Sequence, residues 1–82
     1  MQIDILSPEQ KLYSGEIEYV KLPGLSGSFE VLVNHAPLIA ALQDGKVVVR
    51  GDDGLQEFNI KSGIVEVLQN KVSVLTEGLL DD

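Results

Sequence analysis

The sequence predicts an all-β fold, either a sandwich or a barrel, with little or no helix. Turn residues such as Gly, Pro, Asn and Asp recur at short intervals along the 82-residue chain. That spacing is typical of short strands joined by tight turns, and β-branched and apolar residues fill the intervals. No long window has a helical period, and the nearest candidate, 37–42, would form one turn at most.

Seven segments have the composition of strands. In the fifth of them, Phe58 and Ile60 alternate with Glu57 and Asn59. We therefore expect that strand to have one face in the core and one in water. In chain order the segments are 3–6, 17–22, 28–33, 46–50, 55–60, 64–68 and 72–76.

Three of these segments depart from simple alternation. In the second, the apolar parity slips between Ile17 and Val20, which a β-bulge beside Gly15 or Glu18 would explain. The segments 47–49 and 64–68 carry apolar residues on both faces. Such strands are either central or covered by another surface, so we expect this chain to bind a partner.

Composition and charge limit the classes to which this protein can belong. Hydrophobic residues make up 44% and charged residues 23% of the chain, as in globular proteins, and the length allows a single domain over 1–82. Six basic against thirteen acidic residues give a net charge of −7, which excludes nucleic acid and anionic membrane surfaces as direct partners. The absence of Cys fits a reducing compartment, and neither a signal peptide nor a membrane-spanning run is evident.

Residues that could carry chemistry are few. His35 is the single histidine, so we interpret it as structural or interfacial and expect no metal, no cofactor and no enzymatic activity. Asp52 and Asp53, between two glycines, indicate a hairpin turn rather than a calcium loop. The glycine-containing loop 24–27 indicates a tight corner rather than a phosphate cradle. Lys46 after Asp44-Gly45 leaves open a lysine that carries a prosthetic group.

Several motifs resemble one known family, in order and over nearly the whole chain. They are Ser7-Pro8-Glu9, Leu12-Tyr13-Ser14-Gly15-Glu16, Val20-Lys21-Leu22-Pro23-Gly24, Gly27, His35-Ala36-Pro37-Leu38, Gly63-Ile64-Val65-Glu66-Val67 and Val72-Ser73-Val74-Leu75-Thr76-Glu77. The chain resembles the amino-terminal domain of the epsilon subunit of bacterial F-type ATP synthase, called delta in mitochondria. Val33-Asn34 departs from the family's Pro-Gly, but Asn tolerates a left-handed backbone, so the turn can survive.

This resemblance implies a fold and a role. The fold would be a β-sandwich of about ten short strands in two sheets. The role would be that of a non-catalytic subunit of the rotating central stalk, which links gamma to the c-subunit ring and helps to couple rotation to ATP synthesis. It would lie at the cytoplasmic face of the bacterial inner membrane, associated with the membrane only through the complex. Family members usually continue into a helical hairpin, so we expect a naturally short form with a frayed Asp81-Asp82 end.

The resemblance also implies interface residues. Those expected to border gamma are Ser7, His35, Ala36, Pro37, Leu38 and Ala41. Those expected to face the polar loops of the ring, which carry a basic residue in the family, are Ser26, Gly27, Ser28, Phe29 and Glu30. Each could instead be an ordinary turn or core residue. The alternative function is a free-standing β module that binds a small ligand or carries a prosthetic group.

Overall fold

Seven strands account for most of residues 1–80, the part of the chain that the computed structural model describes. They are β1 (Gln2–Leu6), β2 (Lys11–Gly24), β3 (Gly27–Leu32), β4 (Leu38–Leu42), β5 (Gly45–Gly51), β6 (Gly54–Leu68) and β7 (Lys71–Leu79). None of the described residues is helical, so none forms a helix that could cross a membrane. The predicted all-β sandwich is confirmed. The expected fraying of Asp81-Asp82 lies outside the described residues.

The strand count of about ten is wrong, because two long strands each serve both layers of the sandwich. The first part of β6 pairs with β5, and its last part pairs with β4 and β7. Likewise, β2 pairs with β1 near its beginning and with β3 and β5 further on. The two predicted sheets are therefore layers of one continuous hydrogen-bonded sheet, in which only the β1–β7 pair is parallel among the described strands.

The bend in β6 lies at Ser62 and Gly63, whose φ angles are 24° and 153°. A Cβ at Gly63 would overlap the carbonyl oxygen of Leu75 on β7, so the close approach of the two strands requires glycine here. The buried hydroxyl of Thr76 lies 2.6 Å from the carbonyl oxygen of Lys61 and 2.8 Å from that of Ser62. These contacts hold the corner at which one layer turns into the other.

The corresponding irregularity in β2 is a bulge at Glu18. Ile17 pairs with Gly51 and Tyr19 with Arg50, so Glu18 is the extra residue between two consecutive partners on β5. The bulge predicted from the parity slip is thereby confirmed. It resets the alternation so that both Ile17 and Val20 lie in the core.

The core lies between the layers and consists of branched aliphatic side chains from every strand. Each such side chain contributes about 1.5–3 kcal/mol when fully buried. Close packing of this kind gives a stiff unit. The buried hydrophobic residues are Ile3, Ile5, Ile17, Val20, Leu22, Val31, Leu42, Val47, Val49, Ile60, Val65, Val67, Val72 and Val74.

The turns lie where the sequence predicted them, whereas one strand was not predicted. Asp52 and Asp53 form the hairpin turn between β5 and β6, as predicted, and the 24–27 segment is the tight turn between β2 and β3. The segment 37–42 had been expected to be at most one helical turn. Instead Leu38–Leu42 is β4, because its backbone pairs with Val67 through Gly63 of β6.

Candidate functional site

A row of apolar side chains crosses the outer surface of one layer. Ala41 on β4 pairs with Ile64 on β6, Ile64 pairs with Leu75 on β7, and Leu75 pairs with Leu6 on β1. Cross-strand partners lie on the same face of a sheet, so these four side chains form one line. Leu25 continues the line at the β2–β3 hairpin, where its N–H donates to the carbonyl oxygen of Ala41 (3.1 Å).

Two more apolar residues widen this row. Ile39 lies two residues before Ala41 on β4, and Leu68 lies at the end of β6. Ile39 is 67% exposed, so it makes little contact within the chain. The seven residues together are called the apolar face: Leu6, Leu25, Ile39, Ala41, Ile64, Leu68 and Leu75. Exposed apolar side chains gathered on one side of a sheet are typical of a surface that another macromolecule covers.

The row next to the main apolar row carries polar and charged groups. Ile39 pairs with Glu66, Glu66 with Ser73, and Ser73 with Asp4, which makes a parallel row beside the apolar one. Asp4 accepts a hydrogen bond from the Ser14 hydroxyl (2.6 Å) and lies 3.3 Å from the ammonium of Lys71. The Ser14 hydrogen bond, followed by Lys71, lowers the pKa of Asp4 below its ordinary value of 3.8, against the opposing effect of desolvation.

The structure brings part of the predicted gamma set onto this surface. Ala41 is a member of the apolar face, and Ser7 directly follows Leu6 at its far end. His35, Ala36 and Pro37 form an exposed loop that leads into β4. The remaining residue of the set is not on this surface. Leu38 is half-buried and packs against the core, on the opposite side of β4 from Ile39.

The predicted ring set lies in and after the hairpin between β2 and β3. Ser26, Gly27, Ser28 and Glu30 are exposed, whereas Phe29 is half-buried against the core. An apolar groove of about 370 Å³ runs between this hairpin and β4, and its lining includes residues from both predicted sets. The two sets therefore adjoin at this groove, where Phe29 and Leu38 are nine positions apart in the sequence.

The two segments are tied together by three hydrogen bonds. Besides the bond from Leu25 to Ala41, the backbone N–H of Gln43 donates to the carbonyl oxygen of Pro23 (2.9 Å). The side-chain amide of Gln43 donates to the carbonyl oxygen of Gly24 (2.8 Å). The hairpin and β4 consequently form one rigid edge of the domain.

The outer surface of the other layer has a different character. Cross-strand pairs place Glu30 beside Lys21, Lys21 beside Val48 and Val48 beside Glu57. The neighbouring row includes Arg50, whose guanidinium lies 5.9 Å from the centre of the Tyr19 ring. We call this surface the charged face, defined by Tyr19, Lys21, Glu30, Lys46, Val48, Arg50 and Glu57.

Lys46, the candidate for a prosthetic group, lies on β5 rather than at the tip of a hairpin. Its ammonium is 3.1 Å from the carboxylate of Glu57 on the neighbouring strand. Across residues 1–80, no group of three or more His, Asp or Glu side chains is placed to hold a metal ion. The features that distinguish this domain are thus its surfaces rather than a cluster of reactive groups.

Comparison with known proteins identifies the family. Residues 1–81 match the family described as ATP synthase, Delta/Epsilon chain, beta-sandwich domain. The chain belongs to this family. The resemblance seen in the motifs is therefore confirmed.

Delta/epsilon relatives from several bacteria share much of this sequence. The ATP synthase epsilon chain of Leptospira borgpetersenii is 39% identical over 77 residues, which are 94% of this chain and 61% of the relative. That of Chlorobaculum tepidum is 47% identical over 76 residues, 92% of this chain and 86% of the relative. The chain thus spans less than two thirds of some relatives and most of others.

Solved structures share the delta/epsilon fold at lower identity. A chain of the Euglena gracilis mitochondrial ATP synthase, determined as an assembly of OSCP, F1 and c-ring, superposes with a TM-score of 0.86 at 16% identity. It covers 95% of this chain and 51% of that one. A chain of the Tetrahymena thermophila mitochondrial ATP synthase, from its central stalk and c-ring, gives a TM-score of 0.82 at 16% identity and covers 99% of this chain and 66% of that one.

Sequence reasoning missed most of the apolar face. Six of its seven residues were not among the predicted site residues: Leu6, Leu25, Ile39, Ile64, Leu68 and Leu75. The signal that could have found Ile64 and Leu68 is the segment 64–68, whose apolar residues on both faces predicted a partner. The others come from distant parts of the chain, and only the strand register joins them into one row.

Proposed function

We propose that this chain is a non-catalytic rotor subunit of an F-type ATP synthase, which binds gamma through the apolar face and contacts the c-subunit ring through the β2–β3 hairpin. Membership of the delta/epsilon family supports the complex. The observation that carries the contact with gamma is the apolar row that crosses four strands, from Ala41 to Leu6, and continues to Leu25 in the β2–β3 hairpin. Its apolar area is what a lasting protein interface buries at its centre.

The mechanical role follows from stiffness. Torque passes from the ring to gamma without slip only if the linking domain adheres to both and deforms little. The continuous sheet and the core of branched side chains resist deformation. The hydrogen bonds of Gln43 and Leu25 join the hairpin to β4, so a force applied at the hairpin reaches the apolar face through these bonds.

The same proposal implies where the subunit lies and which kind of charge its partners carry. A rotor subunit of this kind lies at the cytoplasmic face of the bacterial inner membrane and associates with the membrane only through the complex. With a net charge of −7 the domain itself is repelled by anionic lipid, so protein contacts must hold it there. Ser26, Ser28 and Glu30 offer polar groups to a ring loop that carries a basic residue.

Reconstitution tests this function. Membrane vesicles whose ATP synthase lacks this subunit would be assayed for ATP hydrolysis and for ATP-driven proton pumping, before and after addition of the 82-residue chain. We expect the added chain to raise pumping relative to hydrolysis and to remain with gamma when the complex is solubilised. Unchanged coupling, together with recovery of the chain in the unbound fraction, would contradict the proposal.

A further inference from the structure

Two asparagines join the loop before β4 to the turn between β6 and β7. The backbone N–H of Asn34 donates to Oδ1 of Asn70 (2.6 Å), and Nδ2 of Asn70 donates to Oδ1 of Asn34 (2.9 Å). The two residues are far apart in the sequence, so these bonds fix one segment against the other. We call this the Asn34–Asn70 pair.

Each member of the pair sits in a turn that needs a left-handed backbone. The φ angles are 69° at Asn34 and 61° at Asn70, a region that Asn occupies more easily than most residues. The turn at Asn34 is closed by a bond from the His35 N–H to the carbonyl oxygen of Leu32 (3.1 Å). The carbonyl oxygen of Asn70 accepts from the N–H of Gln2 on β1 (3.0 Å). Asn70, in the turn between β6 and β7, therefore links the loop to β1. These strands belong to the layer that carries the apolar face.

The loop held in this way contains three of the residues proposed to meet gamma. His35, Ala36 and Pro37 are exposed and lie outside any strand. The turn that holds the loop directly follows Leu68 of the apolar face. The Asn34–Asn70 pair consequently sets where the loop stands relative to the end of that face.

We propose that the Asn34–Asn70 pair is a positioning element that orders the loop 33–37 before gamma arrives. The proposal rests on the proposed binding of gamma by this chain. A loop that is already ordered does not lose further conformational freedom on binding, so the pair raises affinity without itself touching gamma. Its loss leaves the sandwich intact, because neither side chain belongs to the core.

Three glycine variants of the full 82-residue chain test this role. Asn34→Gly and Asn70→Gly each remove one side chain of the pair while keeping a residue that accepts positive φ. Gln69→Gly is the matched control. Gln69 lies in the same turn with a φ of 49°, and within residues 1–80 its side chain makes no hydrogen bond. A double variant, Asn34→Gly with Asn70→Gly, completes a double-mutant cycle.

The measurements are amide hydrogen exchange in the free chain and affinity for purified gamma from the same organism. We expect Asn70→Gly to accelerate exchange at the Asn34 amide and to weaken binding of gamma about two- to fivefold, as exposed neutral hydrogen bonds do. Asn34→Gly keeps its backbone N–H bond to Asn70 and loses only the side-chain bond, so it should weaken binding less than Asn70→Gly. The double variant should weaken binding no further than Asn70→Gly alone. Gln69→Gly should change neither quantity.

Three results would overturn the role. Unchanged affinity in both single variants would show that loop order does not matter, and additive losses would show that each side chain contacts gamma directly. An equal loss in Gln69→Gly would assign the effect to turn flexibility. Failure of the wild-type chain to bind gamma would instead contradict the proposed function itself, while exchange at the Asn34 amide would still report whether the pair orders the loop.

Discussion

The two outer surfaces of this sandwich differ in composition, although β6 contributes residues to both. On the charged face, Lys21, Glu30 and Glu57 occupy cross-strand positions, as expected where an antiparallel sheet meets water. On the apolar face, the corresponding positions carry Ile64 and Leu75. Since both layers bury a complete core face, the folding of the chain does not require the second apolar surface. The difference supports the proposal that gamma binds the apolar face.

The corner that joins the two surfaces should give the largest effect when it is altered. A Cβ at Gly63 would overlap the carbonyl oxygen of Leu75 and lie 3.0 Å from Cα of Thr76. We expect Gly63→Ala to lower the free energy of unfolding by several kcal/mol, roughly 2–4, because the backbone of β7 must move. Thermal and urea denaturation would measure the loss.

Gly78→Ala is the control for that variant. Gly78 has a φ of 145°, close to the 153° of Gly63, but a Cβ there would meet nothing within 4 Å. The two substitutions thus share the backbone strain and differ in the steric overlap. Equal losses of stability in the two variants would show that the tight approach of β6 and β7 is unimportant.

Adjacent residues of β4 separate stability from binding. Leu38 is half-buried against the core, whereas Ile39 is 67% exposed on the apolar face. We expect Leu38→Asp to destabilise the fold by about 2–4 kcal/mol, because it buries a carboxylate among apolar groups. Ile39→Asp should change stability by less than about 1 kcal/mol and should weaken binding of gamma at least tenfold.

Denaturation and binding assays on both variants give the comparison. If Ile39→Asp binds gamma as the wild type does, β4 does not present its outer side to gamma. If Leu38→Asp is fully stable yet fails to bind, the contact with gamma instead involves the inner side of β4 and the groove beside it.

Much of this architecture could be predicted from local patterns. The alternation at Phe58 and Ile60, the hairpin at Asp52-Asp53 and the bulge near Glu18 each depend on a few neighbouring residues. The continuity of β6 could not be predicted in the same way. Ser62-Gly63 has the composition of a turn and adopts turn-like φ angles, but pairing with β7 on both sides of the bend keeps the strand unbroken.

The candidate surfaces were harder to predict for the same physical reason. The motifs predicted the His35–Pro37 segment and the hairpin as candidate contact regions, because the residues of each are consecutive. The apolar face depends on register, and a shift of one residue would turn Ile64 or Leu75 to the other side of its strand. A segment such as 38–42, with apolar residues throughout, gives no parity from which Ile39 could be separated from Leu38.

A charge reversal on the charged face should have a smaller effect. Glu30 is exposed beside Lys21, in the set proposed to face the ring. We expect Glu30→Lys to leave the affinity for gamma unchanged and to lower the ratio of proton pumping to ATP hydrolysis by up to about fivefold at low salt, because exposed ion pairs contribute little and are screened. Glu57→Lys, at the other end of the same row, makes the same change in charge and serves as the control. Equal ratios in wild type and Glu30→Lys would remove Glu30 from the ring contact.

The smallest effect concerns Asp4 at the border of the apolar face. Its pKa is lowered chiefly by the Ser14 hydroxyl, so its stabilising effect is present above the ordinary value of 3.8 and is lost as the pH falls through the lowered value. We expect Ser14→Ala to move the pKa of Asp4 upward, toward 3.8, in an NMR titration. Ser73→Ala removes a hydroxyl from the residue paired with Asp4 on β7 and should leave that pKa in place. A Ser14→Ala titration that matches the wild type would contradict the assignment.

A leucine on each side of the domain allows binding through the two surfaces to be compared. Leu75 on the apolar face is 51% exposed, and Leu55, beside Arg50 at the margin of the charged face, is 53% exposed. Leu75→Asp and Leu55→Asp therefore make the same chemical change at nearly equal exposure, and calorimetric titration with gamma measures the result. If gamma binds the apolar face, we expect Leu75→Asp to lower the affinity at least tenfold and Leu55→Asp to stay within about twofold of the wild type. Equal losses in the two variants, or a loss confined to Leu55→Asp, would contradict it.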